Sequence, residues 1–553
     1  MTQTNQGPFE RPSQQGMGTY RRAWIPAAMV IMLVAGAGIL AAQSAIQIIP
    51  LPRIVRPAAG TFALTPQTLI LVNSPDLAPL GRYLSEMLAP AIGLKLAVTP
   101  PPDPASRGIV LALDKGRADL GQEGYALNCT PVALTITAAT PAGVFYGVQT
   151  LRQLLPIQIE SRQPVQGIAW QVPCVAIDDQ PRFKWRGYLI DPARNFRTKE
   201  ELKRYIDLLA LHKLNILQLH LTDDQGWRIE IKRYPKLVET GARLPDYVGK
   251  SGDGWFYSQA DIRELVRYAA DRYVTLVPEI EMPGHSGAAI ASYPELACGG
   301  NPPGGWSAPL CVSQETTFEF AANVLDEVIG LFPSPFIHIG ADEVPPGSWR
   351  ACAKCKPLMD KLVGTPLPAD VTSCRVRVAS GQGLPFHEDI GRLQGEFVRR
   401  IDQYLTTKGR RMVGWDEILE GGLKIGSHAV VMAWRGASAV AATTGRNQDV
   451  VVSLHPDYYL DNDTPLPRTY NYEPVPNDLP AAQAKRVLGV QGNMWGETTS
   501  SLQRVDARTF PRLCALAETG WTGRDERDFA DFSARLADLR QRLKIMGVDG
   551  GKF

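Results

Sequence analysis

Two adjacent acids, Asp342 and Glu343, follow the apolar run Phe336–Gly340. Two carboxyl groups near one bond can divide acid–base work, because one can protonate a leaving group while the other acts as a base or nucleophile. Neighbouring residues of a regular strand point to opposite faces. Both acids can therefore reach one cavity only if the strand ends or bends at Gly340-Ala341.

Polar and aromatic residues also follow the other short β-branched runs in this part of the chain. Carboxylates and an arginine bind hydroxyl groups, and tryptophan faces pack against the apolar sides of a sugar ring. The spacing therefore predicts a carbohydrate site that is built from many separate segments. In chain order, the residues at these run ends are Asp191, Arg194, His220, Asp223, Asp224, Trp227, Glu281, Gly284, His285, Asp342, Glu343, Trp415, Asp416, Glu417, Trp434, Arg435, Tyr459, Asp461, Trp495 and Glu497.

Eight strand-like runs alternate with amphipathic helices from residue 181 onward, which predicts a (β/α)8 TIM barrel over residues 181–553. Enzymes with this α/β fold place their working residues at the carboxyl ends of the strands. Thr198, Ser258 and Thr316 resemble capping-box starts of barrel helices, and residues 526–547 read as a terminal helix. The predicted strands are Gly187–Asp191, Asn215–Leu221, Thr275–Ile280, Phe336–Gly340, Arg411–Gly414, Ala429–Ala433, Val450–Leu454 and Val487–Gln491.

Residues 45–180 are predicted to form a smaller α/β domain in front of the barrel. Strand-like runs at Thr68–Val72, Gly108–Leu113 and Val132–Ala138 are separated by proline-rich breaks, and residues 142–155 have helical periodicity. No set of residues in this segment suggests chemistry.

Residues 1–44 combine a polar tail ending in Arg21-Arg22 with 20 uncharged residues, Ala23–Ala42. About 20 apolar residues suffice to cross a bilayer as a helix, and the cationic flank favours export of the chain from residue 45 onward. Small residues near position 44 leave cleavage open, so an uncleaved anchor and a cleaved signal remain alternatives. We expect an exported protein on the periplasmic or extracellular face, with the membrane as a partner if the segment is retained.

The composition excludes two classes of protein. Of 553 residues, 44% are apolar and 21% are charged, which rules out a disordered chain. With 58 Lys+Arg against 56 Asp+Glu, the net charge is +2, so no nucleic-acid partner is expected.

The cysteines leave two structural alternatives. Cys298 and Cys311 flank a Gly/Pro-rich loop that a disulfide could close, which an exported chain permits. Cys352-x-x-Cys355 with Cys374 suggests zinc, but His387 is only a distant candidate for the fourth ligand and a second CxxC pair is absent. We predict loop disulfides or free thiols, no metal and no cofactor.

Taken together, the motifs resemble those of glycoside hydrolase family 20, the β-N-acetylhexosaminidases, including chitobiases. The resemblance spans about residues 45–525 and implies the barrel and the preceding α/β domain. The motifs that carry it are Arg186–Phe196, His220–Arg228, Pro283–His285, His338–Glu343, Trp415–Glu417, Tyr459–Asp461 and Gln491–Glu497.

The resemblance also implies substrate-assisted catalysis, an exception to the two-carboxylate scheme. The substrate's acetamido oxygen would attack the anomeric carbon to give an oxazolinium ion. Asp342 would stay ionised and hold the amide N–H, Tyr459 would donate to the acetamido oxygen, and Glu343 would act as acid and then as base. Asp223 and His285 would orient Glu343. The acetamido pocket would be walled by Trp415, Trp434 and Trp495. The sugar hydroxyls would be bound by Arg194, Asp461 and Glu497.

The predicted function is a retaining exo-β-N-acetylhexosaminidase that removes terminal GlcNAc or GalNAc. Its substrates would be β-linked N-acetylhexosamine glycans or chitooligosaccharides. Two alternatives remain, a disaccharide-releasing relative resembling lacto-N-biosidases and a noncatalytic glycan-binding relative.

Overall fold

The computed structural model describes residues 46–100, 107–245, 254–300, 307–365, 387–422 and 424–551. The predicted apolar segment at residues 23–42 and the thiol of Cys374 lie outside the described residues. Among the helices of these described ranges, none is long and apolar enough to cross a bilayer. The described residues from Gln47 onward form one compact unit.

A mixed seven-stranded sheet precedes the barrel. Its elements are β1 (Ile54–Ala63), β2 (Ile70–Val72), α1 (Ala78–Ile92), β3 (Val98–Thr99), β4 (Gly108–Leu113), β5 (Tyr125–Cys129), β6 (Ala133–Ala138), α2 (Pro141–Leu154) and β7 (Gln171–Asp179). The strands lie in the order β1-β7-β5-β6-β4-β2-β3. The three predicted strands and the predicted helix are present, whereas β1, β3, β5 and β7 were not predicted.

Eight parallel strands close into a barrel, and all eight strand predictions are confirmed. Their short runs of branched apolar residues suit a sheet whose two faces are both covered. The last strand pairs with the first, for example at Asn493 and Leu189, which closes the barrel. The strands are β8 (Trp185–Ile190), β9 (Ile216–His220), β12 (Thr275–Glu279), β13 (Phe336–His338), β14 (Arg411–Trp415), β15 (Val430–Ala433), β16 (Asp449–Val452) and β17 (Val487–Met494).

Two of the three predicted helix caps are confirmed, because Thr198 and Ser258 form complete capping boxes. The Thr316 prediction is wrong, since that helix begins at Glu315 behind Gln314, which makes no side-chain cap bond. The helices are α3 (Lys199–Leu211), α4 (Lys236–Glu239), α5 (Gln259–Ala270), α6 (Gly287–Ser292), α7 (Glu315–Leu331), α8 (Pro346–Ala351), α9 (Cys355–Val363), α10 (Glu388–Thr407), α11 (Ala437–Gly445), α12 (Leu466–Asn471), α13 (Ala481–Ala484), α14 (Leu502–Thr509), α15 (Arg512–Trp521) and α16 (Phe529–Ile545).

Short 3-10 helices and one small hairpin complete the described elements. The hairpin pairs β10 (Thr222–Asp223) with β11 (Gly226–Trp227) directly after β9. The 3-10 helices are Pro75–Leu77, Ala118–Leu120, Ile157–Glu160, Gly241–Arg243, Pro294–Leu296, Cys298–Gly300, Asp416–Gly422 and Arg524–Glu526.

The barrel interior combines an apolar cluster with a buried polar layer. Leu189, Val277 and Val413 belong to the apolar cluster. Gln491 Nε2 donates to Gln218 Oε1 at 2.8 Å, and Gln218 Nε2 donates to Glu279 Oε2 at 2.8 Å. Buried polar groups are stable only when they are hydrogen-bonded. This layer therefore forms a rigid polar floor beneath the carboxyl ends of the strands.

Candidate active site

The chain turns sharply after β13, which lets Asp342 and Glu343 leave the strand geometry. Gly340, Ala341 and Glu343 have φ angles of +65°, +66° and +49°. A Cβ at position 340 would overlap the carboxylate of Glu281, so only glycine fits there. The bend at Gly340-Ala341 that the sequence required is present. Left-handed backbone at non-glycine residues costs roughly 1–3 kcal/mol each and clusters at functional sites.

The carboxylates of Asp342 and Glu343 converge on one histidine. His285 Nε2 lies 3.8 Å from Asp342 Oδ2 and 3.7 Å from Glu343 Oε2. His285 is buried and itself adopts a left-handed φ of +47°. The two acids therefore share one environment, as a concerted role in catalysis requires.

A chain of alternating charges lies behind His285. His285 Nδ1 is 3.2 Å from Asp223 Oδ1, and Asp223 Oδ2 forms an ion pair with Arg194 Nη2 at 2.6 Å. Burial disfavours the charged forms of Asp223 and His285, but the opposite charges of their partners have the larger effect. Arg194 and His285 hold the pKa of Asp223 well below its usual range, and Asp223 and Asp342 hold the pKa of His285 well above its usual range. His285 is therefore a buried cation that faces the two acids.

Asp342 remains an anion near neutral pH. Burial raises the pKa of Asp342 to about 6, cationic His285 lowers it, and the negative charge of Glu343 raises it further. Asp342 Oδ1 is buried and has no hydrogen-bond partner within the described ranges. A buried carboxylate oxygen without a donor is costly, so this atom is a strong acceptor for a ligand N–H.

Four aromatic residues cap the apolar cluster of the barrel beside these acids. Ring centroids are 5.7 Å apart for Trp415 and Trp495 and 6.2 Å apart for Trp434 and Tyr459. Trp434 Nε1 donates to Glu417 Oε2 at 3.0 Å, which fixes its indole. The side chains predicted to wall the pocket therefore lie together at the carboxyl end of the strands.

Tyr459, rather than its neighbour Tyr458, faces the barrel interior. Tyr459 packs against the interior cluster, whereas the ring of Tyr458 contacts Tyr472 in the outer core. Burial raises the pKa of Tyr459 well above 10, and the acids Asp461 and Asp342 raise it further. The phenol therefore keeps its proton and can act as a hydrogen-bond donor.

The predicted hydroxyl-binding residues group around Arg194. Its Nε lies 3.3 Å from Glu497 Oε1, and its guanidinium carbon lies 5.1 Å from the Trp495 ring centroid. Burial raises the pKa of Asp461 to about 7, and the Glu497 carboxylate adds to the rise. Sequence reasoning assigned Arg194 to the substrate alone. In the structure it also contacts Asp223, so it lies at one end of the charge chain as well as beside Glu497 and Trp495.

A family model described as "Glycosyl hydrolase family 20, catalytic domain" matches residues 183–524. The chain belongs to glycosyl hydrolase family 20. A second model, described as family 20 domain 2, matches residues 45–180. The family resemblance predicted from the motifs is confirmed.

Similar proteins include beta-hexosaminidases of Porphyromonas gingivalis, 37% identical over 91% of this chain, and of Vibrio furnissii, 34% identical over 86%. This family 20 chain spans 64% of the length of the first and 76% of the second. A solved GH20 beta-N-acetylhexosaminidase from Streptomyces coelicolor is 33% identical with a TM-score of 0.77, covering 92% of this chain and 98% of that one. A Streptomyces plicatus beta-hexosaminidase variant in complex with the product GlcNAc has the same identity and TM-score, covering 92% and 97%.

The family 20 site also uses a buried network that sequence reasoning did not assign. Glu279 Oε2 lies 2.7 Å from His220 Nδ1, and Glu279 Oε1 accepts from Trp415 Nε1 at 3.1 Å. His220 Nε2 lies 3.0 Å from Asp223 Oδ2. Burial opposes charge on His220, but Glu279 and Asp191 outweigh it and raise the pKa of His220 to about 10. The sequence signal for this network was the spacing of Gln218 and His220, because side chains two residues apart on a strand face the same side.

Asp224 holds the loop that follows His285. Its carboxylate accepts from the backbone N–H groups of Gly287 at 2.9 Å, Ser307 at 2.6 Å and Ala308 at 3.1 Å. It is therefore a loop-organising residue that sits next to the charge chain through Asp223.

We expect Asp224→Ala to lower the free energy of unfolding by about 1–3 kcal/mol, because buried N–H groups would lose their acceptor. Asp224→Asn should lose less, since one acceptor oxygen remains. Urea unfolding of the two variants and wild type measures the difference. Equal stability of Asp224→Ala and wild type would contradict the loop-holding role.

Proposed function

We propose that this chain is a retaining exo-β-N-acetylhexosaminidase that acts by substrate-assisted catalysis. The observation that carries the proposal is the convergence of Asp342 and Glu343 on cationic His285, with Asp342 Oδ1 left without a partner within the described ranges. Two acids held by one imidazole suit a bond attacked by the substrate's own acetamido group better than two carboxylates on opposite faces of a sugar. The names of the similar beta-hexosaminidases support the same substrate class.

In the first step the acetamido oxygen attacks the anomeric carbon as the bond to the leaving oxygen breaks. Glu343 gives its proton to that oxygen, and the aglycone leaves as an alcohol. Asp342 accepts a hydrogen bond from the acetamido N–H and stabilises the positive charge of the oxazolinium ion. Tyr459 donates to the acetamido oxygen and orients it. Charge placed in advance where the transition state develops it is the largest common source of rate enhancement.

In the second step a water molecule attacks the anomeric carbon and opens the oxazolinium ring. Glu343, now a carboxylate, takes a proton from that water and returns to its acid form. The acetamido group recovers its neutral amide. Each step inverts the anomeric centre, so the product keeps the β configuration.

Exo action is inferred from the group around Arg194. Arg194 is a cation, and Glu497 and Asp461 are acids at the same end of the aromatic wall. Charged donors and acceptors make strong hydrogen bonds to hydroxyl groups. We propose that this group binds the hydroxyls of the terminal sugar. Buried Asp461 Oδ1, without a partner among the residues the structure describes, is an acceptor for one of them.

The test is a substrate panel with the purified full chain. Aryl β-GlcNAc and aryl β-GalNAc should be hydrolysed, whereas the matching aryl β-glucoside should be inert because it lacks the attacking amide. Fluorine substituted stepwise into the acetyl group should lower kcat stepwise, since it withdraws electrons from the attacking oxygen. Proton NMR of the first product should show the β anomer.

Three outcomes would contradict the proposal. Efficient cleavage of the glucoside would exclude assistance by the substrate. Turnover only of disaccharide glycosides would favour the disaccharide-releasing alternative. Binding without any turnover would favour the noncatalytic one.

The activity should fall on the acidic side with a limb near pH 6, because Asp342 must be ionised to stabilise the oxazolinium ion. The Asp342 carboxyl has its pKa raised by burial to about 6, so protonation below that value removes the anion. The limb appears in kcat/KM, which reports the free enzyme. The acidic limb of the kcat profile should lie at lower pH, because in the substrate complex the acetamido N–H stabilises the Asp342 carboxylate. A kcat/KM profile flat from pH 7 to pH 5 would contradict the role of Asp342.

Asp461 is the group most easily confused with Asp342, because burial and Glu497 raise its pKa to about 7. Asp461→Asn is therefore the control for the pH profile. It should raise KM through the loss of a hydroxyl contact and leave the limb near pH 6 in place.

A further inference from the structure

Four cysteine sulfur atoms converge beside the active site, on the loop after α6 and at the junction of α8 and α9. Cys311 Sγ lies 3.8 Å from Cys352 Sγ and 3.7 Å from Cys355 Sγ, and Cys298 Sγ lies 3.8 Å from Cys355 Sγ. All four sulfur atoms lie within 4.8 Å of one another. Cys311, Cys352 and Cys355 are buried, and Cys298 is partly exposed.

These distances fit a metal tetrahedron. A disulfide bond is about 2.05 Å long and joins one partner only, whereas Cys311 is nearly equidistant from two sulfur atoms. Zinc binds four thiolates tetrahedrally with Zn–S distances of about 2.3 Å, which places the sulfur atoms about 3.8 Å apart. We propose that Cys298, Cys311, Cys352 and Cys355 bind a structural zinc ion.

The chemistry of the ligands supports zinc in particular. Four thiols lose four protons and bind Zn²⁺ as thiolates, leaving the centre with a charge of −2 and no change in oxidation state. Four protein ligands close the coordination sphere, which is typical of a structural rather than a catalytic zinc.

The sequence pattern concealed this site because its ligands come from two distant segments. Cys352-x-x-Cys355 is one ligand pair, but the other two ligands lie about 40–60 residues upstream rather than downstream at Cys374. Cys298 and Cys311 also lie at the two ends of a loop, which suggested a bond between them. The fold instead directs both toward the start of α9.

The proposed zinc would connect two loops that carry active-site residues. The segment between Cys298 and Cys311 includes Ser307, whose backbone N–H donates to Asp224. Trp349, six residues after Glu343, donates from Nε1 to the Leu310 carbonyl at 2.9 Å, next to Cys311. The metal would thus join the loop after His285 to the helices after Glu343, far more strongly than this single indole bond.

The competing chemistry is oxidation, because the sequence predicts export and exported chains meet conditions in which disulfides form. The same four sulfur atoms could then pair as Cys298–Cys355 and Cys311–Cys352. This alternative binds no metal and consumes all four thiols, so metal content and thiol state distinguish it from zinc.

The experiment measures metal in the full-length protein without relying on activity. Protein purified without chelators should contain one zinc ion per chain, as measured by inductively coupled plasma mass spectrometry. A mercurial thiol reagent should release that zinc stoichiometrically, as read by a metal-binding dye. The double variant Cys352→Ala/Cys355→Ala should lose the zinc. The matched double variant Cys129→Ala/Cys174→Ala, which removes two buried cysteines of the seven-stranded sheet, should keep it.

The wild-type measurement decides the proposal even if the first double variant fails to fold. Zinc-free protein with disulfide-linked peptides among these four cysteines would overturn it, and so would four free thiols without metal. Iron at the site, visible as a coloured thiolate complex, would overturn the zinc assignment. Loss of zinc from the Cys129/Cys174 variant would also contradict it.

Discussion

Glu343→Gln should lower kcat for chitobiose by about 10²–10⁴-fold, the usual contribution of a general acid–base residue. The amide keeps the size of the side chain but has no proton to give to a poor leaving group. An aryl leaving group such as nitrophenolate needs little protonation, so the rate of the first step should fall much less for aryl substrates. The loss should therefore grow with the pKa of the leaving alcohol, which steady-state kinetics on a series of aryl glycosides measures.

The second half of the reaction provides an independent check on Glu343. The variant also lacks the base that activates water, so the oxazolinium intermediate should persist. Azide needs no base and should restore turnover of aryl substrates, with β-GlcNAc azide as product. Glu396→Gln, a surface change on α10 next to Arg399, is the control and should match wild type. A loss independent of the leaving group, or no rescue by azide, would contradict the acid–base role.

The barrel could be predicted from sequence because each of its strands carries a strong local signal. Runs such as Thr275–Glu279 and Val430–Ala433 are short, apolar and bounded by turn residues, and helices with good caps separate them. A parallel sheet then brings all strand ends to one rim. The grouping of Trp415, Trp434 and Tyr459 follows from that topology alone.

The partnerships within the site could not be predicted in the same way. Nothing local to Arg194 indicates that it binds Asp223, because the two residues are 29 positions apart and meet only where the adjacent strands β8 and β9 end. Glu279 was hidden for a related reason. A single acid inside an apolar strand looks like an exception until Gln218 and His220 on the next strand are seen to contact it.

The smaller sheet shows a different limit. Its edge strand β3 has two residues, and β1 contains Pro57 and Gly60, so neither shows the alternation that identifies a strand. Pairing with β7 through a register shift between Pro57 and Thr61 stabilises β1, and this pairing is a long-range property. The prediction of a helix cap at Thr316 was wrong by about two residues, because helix ends are the boundaries that a sequence predicts least well.

Asp342→Asn should lower kcat by about 10²–10³-fold, as the loss of one preorganised electrostatic partner usually does. Asparagine cannot offer the negative charge that stabilises the oxazolinium ion, and its amide N–H₂ would repel the acetamido N–H. Unlike the Glu343 variant, this one should lose activity equally on good and poor leaving groups. Azide should give no rescue, because the defect precedes the intermediate. The limb near pH 6 in kcat/KM should disappear.

The same substitution should stabilise the fold, which separates a catalytic role from a structural one. Burial raises the pKa of Asp342 from 3.8 in the unfolded chain to about 6. Between these values the folded protein binds the extra proton, so stability rises as pH falls, and at pH 7 the buried anion costs on the order of 2–3 kcal/mol. Asparagine removes that cost, and thermal unfolding at pH 7 should show a higher midpoint than wild type. At pH 4 the midpoints should converge. A variant that is both inactive and less stable at pH 7 would make Asp342 a structural residue and would contradict the argument that its buried charge opposes folding.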